Sequence, residues 1–459
     1  MVFSSPAFLF LFLPAALALW WWAVGQGRVR AAQWLLIATS IAFYALWNAW
    51  HLPILAGFIL GNYAAGQALA RRPSKPLLAG AIAGNLALLC TFKYLGFFTA
   101  AVNDLTGTTW AVFSLALPLG ISFVTFQAIA YLVDSYRGVA PRSSLRRFAL
   151  FLVFFPQLVA GPIVHHGDFA PQTRWLPAWD WPRAARGLFL LWLGLAKKVL
   201  IADPLGALID PLWASASQLN LVEAWLALWG YALQLYFDFS AYGEMAIGLG
   251  LLFGFRLPVN FNSPYKATTI ADFWRRWHIT LSTWLRDYLY VPLGGSRQGF
   301  LRGLAAAAAT MLLGGLWHGA AWTFLAWGAL HAAYIATYRL WVALRPRPLP
   351  TGLAQALTLL AVVLAWLPFR APSFEVAGQL LATLSGVSAT AFTGFTSPAV
   401  MAIPLLLALW IAVLRAPNAL ELADRFDPHR PGHRFLTHAA TAASVLCIGA
   451  TGQFLYWSF

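Results

Sequence analysis

The sharpest chemical feature of this 459-residue sequence is a histidine set between two apolar stretches, in Leu312-Leu313-Gly314-Gly315-Leu316-Trp317-His318-Gly319-Ala320-Ala321-Trp322. The stretch leaves no room for a solvated loop, and an ionisable side chain at membrane depth is costly enough to count as functional by default. A neutral imidazole, whose unperturbed pKa is about 6.5, suits general-base removal of a proton from a hydroxyl. Gly314, Gly315 and Gly319 would let another backbone or a substrate come close to it. The competing reading of His318 is structural, an imidazole hydrogen-bonded across helices.

A second constellation is Ala271-Asp272-Phe273-Trp274-Arg275-Arg276-Trp277-His278, continuing to Tyr290. Read as one helix, Phe273, Trp277, Leu281, Trp284 and Tyr288 form a single apolar stripe, and Asp272 and Arg276 pair at i, i+4 on another face. That pattern fits an interfacial amphipathic helix anchored by Trp and Arg at headgroup level. His278 falls at helical spacing from Trp274, Leu281 and Leu285, at the edge of the stripe, and is the residue such an anchor does not explain.

Tyr236-Phe237-Asp238-Phe239-Ser240-Ala241-Tyr242-Gly243-Glu244 places two acids inside a long apolar stretch. They could pair with Arg or His, line a polar tunnel or relay protons, and they do not choose between a transporter and an enzyme. His331 lies in another apolar run and reads as structural. His165 and His166, beside Asp168, lack the carboxylate or cysteine spacing of a metal site, so no metal is expected.

These residues must be positioned by elements that live in lipid. The sequence is 60% hydrophobic and 10% charged, with a mean hydropathy of +0.68, against about 25% charged residues in a soluble domain. This excludes a water-soluble enzyme, a disordered chain and a nucleic-acid binder. The formal charge is +15, and only five of the thirty bases are lysine: Lys75, Lys93, Lys197, Lys198 and Lys266. In a membrane protein such an excess marks cytoplasmic loops facing anionic lipid, or a site for an anionic cofactor. Cys90 and Cys447 stand in apolar stretches and read as packing residues.

Apolar runs lie near 1–24, 31–50, 52–70, 77–92, 117–133, 148–164, 187–201, 221–252, 303–317, 320–338, 353–369, 399–414 and 436–457. They predict an all-α, polytopic transmembrane bundle of about 11 to 13 embedded segments, in a single domain spanning 1–459. The first run has no basic residue before it and reads as a retained helix rather than a signal peptide. Loops with Arg28 and Arg30, with Arg71, Arg72 and Lys75, and with Arg137, Arg142, Arg146 and Arg147 alternate with base-poor ones at 48–51 and 101–110. By the positive-inside rule the basic loops are cytoplasmic, the N-terminus lies on the other side, and 254–302 with its excess of Arg faces the cytoplasm. The run Phe155-Pro156 to Gly161-Pro162 and the pair Lys197 and Lys198 predict broken helices, which lipid tolerates only where protein or a wet cavity satisfies the freed backbone.

The motifs also exclude chemistry. There is no P-loop, dinucleotide fingerprint, serine elbow or zincin helix in the sequence. A hydroxyl activated by His318 needs an acyl donor; a thioester such as acetyl-CoA brings its own leaving group, needs no metal, and carries phosphates suited to an Arg-rich face.

Taken together the residues resemble the membrane-bound O-acyltransferase (MBOAT) superfamily, and within it the bacterial alginate O-acetyltransferase membrane subunits. The resemblance rests on Met1 to Ser5, Ala160 to Ile163, Tyr236 to Gly248, Asp272 to Gly295, Gly315 to Gly319 and the aromatic end Tyr456 to Phe459. It implies helices, some re-entrant or interfacial, around a thinned centre with a tunnel, and His318 as the catalytic base. It implies a second signature position at His278, which would orient or hydrogen-bond donor or acceptor. Asp238, Trp317, Arg275, Arg276, Trp274 and Tyr236 are the expected donor-binding or tunnel-lining residues. No bound cofactor is expected beyond an acyl thioester, acetyl-CoA first, as donor. The implied partners are membrane lipid and periplasmic acetyltransferases that pass the acetyl group to a polymer, in the bacterial inner membrane. Acetylation of cellulose or peptidoglycan, D-alanyl transfer, and, in a different class, a secondary transporter or export channel are the alternatives.

Overall fold

The computed structural model of the chain describes residues 2–112, 115–159, 161–344, 347–387, 398–427 and 429–448. The aromatic end Tyr456 to Phe459 lies outside them, as does the last part of the 436–457 run. The described residues are helical without a β-sheet. They fall into two compact units, Met1–Leu191 with Met245–Pro258, and Trp192–Glu244 with Val259–Phe459.

The first unit holds α1 (Leu13–Gly25), α2 (Val29–Asn48), α3 (Leu52–Arg71), α4 (Lys75–Leu89), α5 (Leu95–Thr106), α6 (Ile121–Tyr136), α7 (Leu145–Val153) and the single turns α8 (Phe155–Leu158) and α9 (His166–Phe169). Asn48 caps a short 3-10 turn, Ala49–His51, and Pro53 stands at the start of α3, where its missing N–H costs nothing. The core is aromatic: Phe43 and Phe253 each lie 5.4 Å from Phe155, ring centre to ring centre. Where α3 meets α4, Asn62 and Asn85 exchange side-chain amide bonds of 3.0 and 2.7 Å, satisfying two buried amides without water. The expected break at Phe155-Pro156 is present between α7 and α8, and Phe155 to Leu158 are all buried by protein. His166 is buried against Tyr131 and Phe151, in a packing role.

Helix α10 (Trp181–Ala196) leads into a π-turn at Lys197–Ala202, the second expected interruption. The second unit then continues with α11 (Asp203–Ala214), α12 (Leu221–Leu252, whose residues from Met245 on count with the first unit), α13 (Ile270–Arg276), α14 (Ile279–Leu285), α15 (Phe300–His318), α16 (Trp322–Ala343), α17 (Thr351–Arg370), α18 (Phe374–Leu384), α19 (Pro398–Met401), α20 (Ile403–Arg415), α21 (Ala419–Arg425) and α22 (Pro431–Cys447). The 32 residues of α12 make a rod of about 48 Å, well beyond the roughly 30 Å of a hydrocarbon core. Helices α15 and α16 pack along their length, and glycines make this possible. A Cβ on Gly315 would collide with the Phe324 carbonyl, and one on Gly328 with the Met311 carbonyl.

Among the described residues five helical segments are long and apolar enough to cross a membrane: Phe8–Gly25, Val29–Arg71, Lys75–Thr106, Phe300–His318 and Thr351–Arg370. Ile403–Arg415 with Ala419–Arg425, bent by 59°, would make a sixth as a broken pair. Cys90 and Cys447 are exposed on the protein surface, so the packing role expected for them does not hold.

Candidate active site

His318 is the last residue of α15, and Gly319 leaves the helix in an extended conformation. A side chain at Gly319 would run into the Phe324 ring, so only glycine allows the chain to turn here against α16. The His318 side chain is 4% exposed, which excludes a ring turned out toward lipid. Three rings enclose it at near-perpendicular angles: Trp317 at 5.0 Å, Trp327 at 5.0 Å and Phe369 at 5.2 Å. Trp327 comes from α16 and Phe369 from the end of α17, so α15, α16 and α17 jointly form the cage.

His278 reaches the same neighbourhood by a route the sequence did not show. The segment 271–290 is not one helix: α13 stops at Arg276, and His278 takes a left-handed conformation (φ 43°) before α14 begins. Non-glycine residues seldom adopt this conformation, and here it drives the imidazole inward. The stripe from Phe273 to Tyr288 is therefore split between two short helices, and His278 is fully buried at their junction rather than on the edge of a face. Phe239 of α12 meets the ring edge-on at 4.8 Å, and Trp317, which is also 5.0 Å from His318, lies 6.2 Å away.

The hydrogen bonds converging on Asn260 fix the tautomer of His278. The Asn260 side-chain atom nearest Nδ1, at 3.1 Å, also receives the Thr280 backbone N–H at 3.3 Å and pairs with the Thr280 hydroxyl at 2.9 Å. An atom that accepts a backbone N–H is the amide oxygen, so Nδ1 carries the proton and Nε2 keeps its lone pair. Burial pushes the imidazole pKa down to about 3, so it is neutral at physiological pH.

Of the expected tunnel or donor residues, Trp317 and Trp274 join this assembly. Trp274 packs on His331 at 5.0 Å and on Trp327 at 5.8 Å. His331, fully buried, lies 4.7 Å from Trp327 and keeps its structural reading. Arg275 and Arg276 are not brought to His318. Arg275 is exposed and donates back to the Ala271 carbonyl, while Arg276 pairs with Asp272 at 2.9 Å as the i, i+4 spacing predicted.

Asp238 and Tyr236 belong to a separate, ionic cluster. Lys198 lies between Asp238 and Asp203, the latter at 2.7 Å, and Lys197 pairs with Glu244 at 2.6 Å and donates to Ser240 at 2.7 Å. Lys197 also sits 5.3 Å above the Tyr236 ring. The embedded acids thus pair with the two lysines of the π-turn, not with the Arg or His the sequence suggested. Removing one partner from such a buried pair strands the other charge at a cost of about 3–5 kcal/mol. Because Asp238 grips Lys198 while its neighbour Phe239 holds His278, α12 supports the imidazole from a pinned helix. Asn260, Thr280, Trp327 and Phe369 are the contributors that sequence reasoning missed.

His278 and His318, both buried beside Trp317 in an apolar helical chain, form the candidate site. The MBOAT, membrane-bound O-acyltransferase family model matches residues 85–376. A peptidoglycan O-acetyltransferase of Helicobacter pylori is 39% identical over 430 residues, covering 84% of this chain and 80% of the relative. A probable alginate O-acetylase of Pseudomonas aeruginosa is 42% identical over 392 residues, covering 83% and 74%. A teichoic acid D-alanyltransferase of Bacillus subtilis is 28% identical over 232 residues, covering 48% and 58%. The chain belongs to the membrane-bound O-acyltransferase family. It is a multi-pass membrane acyltransferase, and the transporter alternative is set aside.

Proposed function

We propose that this protein moves an acetyl group from cytoplasmic acetyl-CoA across the bacterial inner membrane for O-acetylation of an extracytoplasmic polysaccharide, alginate first. The observation that carries the reading is His318, an imidazole enclosed by Trp317, Trp327 and Phe369 within the helical bundle. The names of the relatives at about 40% identity support acetyl as the group and a polymer as its destination. The shorter and more distant match to a D-alanyltransferase makes an aminoacyl group the weaker reading.

His318 takes the proton of the acceptor hydroxyl as its oxygen attacks the thioester carbonyl. The C–O bond forms, the C–S bond breaks, and the imidazolium returns the proton to the departing thiolate. The indole and phenyl walls exclude water, which would otherwise hydrolyse the thioester, and strengthen the electrostatics of proton transfer. His278 positions donor or acceptor through Nε2, the nitrogen its Asn260 bond leaves as an acceptor. Periplasmic acetyltransferase partners carry the acetyl group onward to the polymer.

His318→Ala abolishes polymer O-acetylation while the protein's abundance in the membrane stays at the wild-type level. Retained acetylation would remove His318 from the mechanism. Ester analysis of isolated alginate and of peptidoglycan from the same cells separates the two polymers named by the relatives.

A further inference from the structure

The first unit carries a second chemical feature, remote in sequence from either imidazole. A pocket of about 440 Å³ is lined by Val29, Arg30, Ser144, Arg146, Arg147, Thr173 and Arg174. Four guanidiniums from three separated segments meet there, and none of the four lies within ion-pair distance of a carboxylate among the described residues. The positive-inside rule explains why these loops are basic. It does not explain why they converge, or why one arginine is built into the protein.

Gln33, 2% exposed, is the foundation of that construction. Its side-chain oxygen accepts from Arg146 Nε at 2.7 Å while its amide nitrogen donates to the Thr173 carbonyl, tying α2, α7 and the Thr173 turn together. Arg146 and Arg147 are half-buried, and Arg30 and Arg174 are exposed around them. Burial, and then the like charges of Arg30 and Arg147, lower the pKa of Arg146. Helices α2 and α7 both begin at this pocket, and neither has a side-chain cap, so both positive helix ends are open. Ser144 stands where a serine ordinarily caps, yet its hydroxyl is buried with no hydrogen-bond partner. A hydroxyl, two uncapped helix ends and four unneutralised guanidiniums share one complement: a compact, multiply charged anion with several acceptor oxygens.

We propose that this pocket binds a phosphate ester, gripped by Arg146 and Arg147, with Ser144 as hydroxyl donor and Arg30 and Arg174 closing the rim. Two sources carry this chemistry: the headgroup of an anionic phospholipid at the membrane surface, or the phosphates of a nucleotide thioester donor. The second source rests on the acetyl-CoA reading above; the first does not.

The test is thermal unfolding of the purified full-length protein in nanodiscs. In one arm wild type is compared in phosphatidylglycerol and phosphatidylcholine; in the other, in phosphatidylcholine with coenzyme A or with pantetheine, which lacks the phosphates. A rise in Tm with phosphatidylglycerol identifies the lipid, and a rise with coenzyme A but not pantetheine identifies the nucleotide. Arg147→Gln, which keeps the Gln33–Arg146 bond, cuts the rise by more than half, and Arg30→Gln, a change at an exposed rim, lowers it as well. His318→Ala keeps the full phosphatidylglycerol effect, separating this site from the catalytic proposal. Equal Tm in both comparisons for wild type overturns the site even if a variant fails to fold, as does an undiminished rise in both arginine variants.

Discussion

A catalytic or positioning imidazole must present one defined nitrogen, and the Asn260 oxygen sets which one His278 presents. Replacing Asn260 by leucine removes the acceptor that holds the Nδ1 proton and leaves the Thr280 backbone N–H without its partner. Under the acyl-transfer mechanism kcat falls about 100-fold, the loss expected when a group that positions the reactants is itself misplaced. Asn260→Asp, which keeps an oxygen toward both Nδ1 and Thr280, recovers most of the rate. Steady-state kinetics of the two variants in proteoliposomes checks this, and an Asn260→Leu enzyme at wild-type kcat would deny the bond any role. Asn260 escaped the sequence reading because it lies 18 residues from His278 in a loop without periodicity. Only the left-handed turn at His278 brings the two together. His318 was legible because an imidazole inside a hydrophobic run is conspicuous against its surroundings.

Apolar runs located most of the helices, since burial against lipid or protein is written in residue type. Helical periodicity was needed only at 271–290, and it failed there, where the apolar stripe continues in phase across a break that costs only one unusual φ angle at His278. The sequence also left open what held the embedded acids, because the pairing of Lys197 and Lys198 with Glu244, Asp203 and Asp238 depends on a π-turn rotating both lysines onto α12. In the α15–α16 hairpin sequence and packing agree at Gly315, where a second backbone does come close, while Gly328, which the sequence did not single out, makes the matching approach from α16. Gly328→Val, directed at the Met311 carbonyl, destabilises by about 1–3 kcal/mol as an overpacking change and displaces the cage around His318. Gly352→Ala, near the start of α17 with open space around it, is neutral or stabilising by up to about 1 kcal/mol. Thermal unfolding of both variants in one detergent measures the difference; equal Tm values would show that close helix approach at Gly328 contributes nothing.

Across the molecule as a whole, the alternation of basic and base-poor loops implies an orientation that the contacts within the first unit support. Gln33 near the start of α2 accepts from Arg146, and Gln67 near the end of α3 donates to the Ser143 carbonyl. Both ends of the α2–α3 pair therefore meet the same loop, so the turn Ala49–His51 between them reverses the chain at the opposite side. Arg30, Arg146, Arg147 and Arg174 around one pocket complete a single basic end of this unit, and the positive-inside rule predicts that this end is cytoplasmic. Labelling reads this orientation in a chain whose two native cysteines, both exposed, are first replaced by alanine. A cysteine at Trp50, 88% exposed at the base-poor turn, reacts with a membrane-impermeant maleimide in spheroplasts, whereas Arg72→Cys reacts only after the membrane is permeabilised. The reverse labelling pattern would invert this unit in the membrane and place the arginine pocket outside.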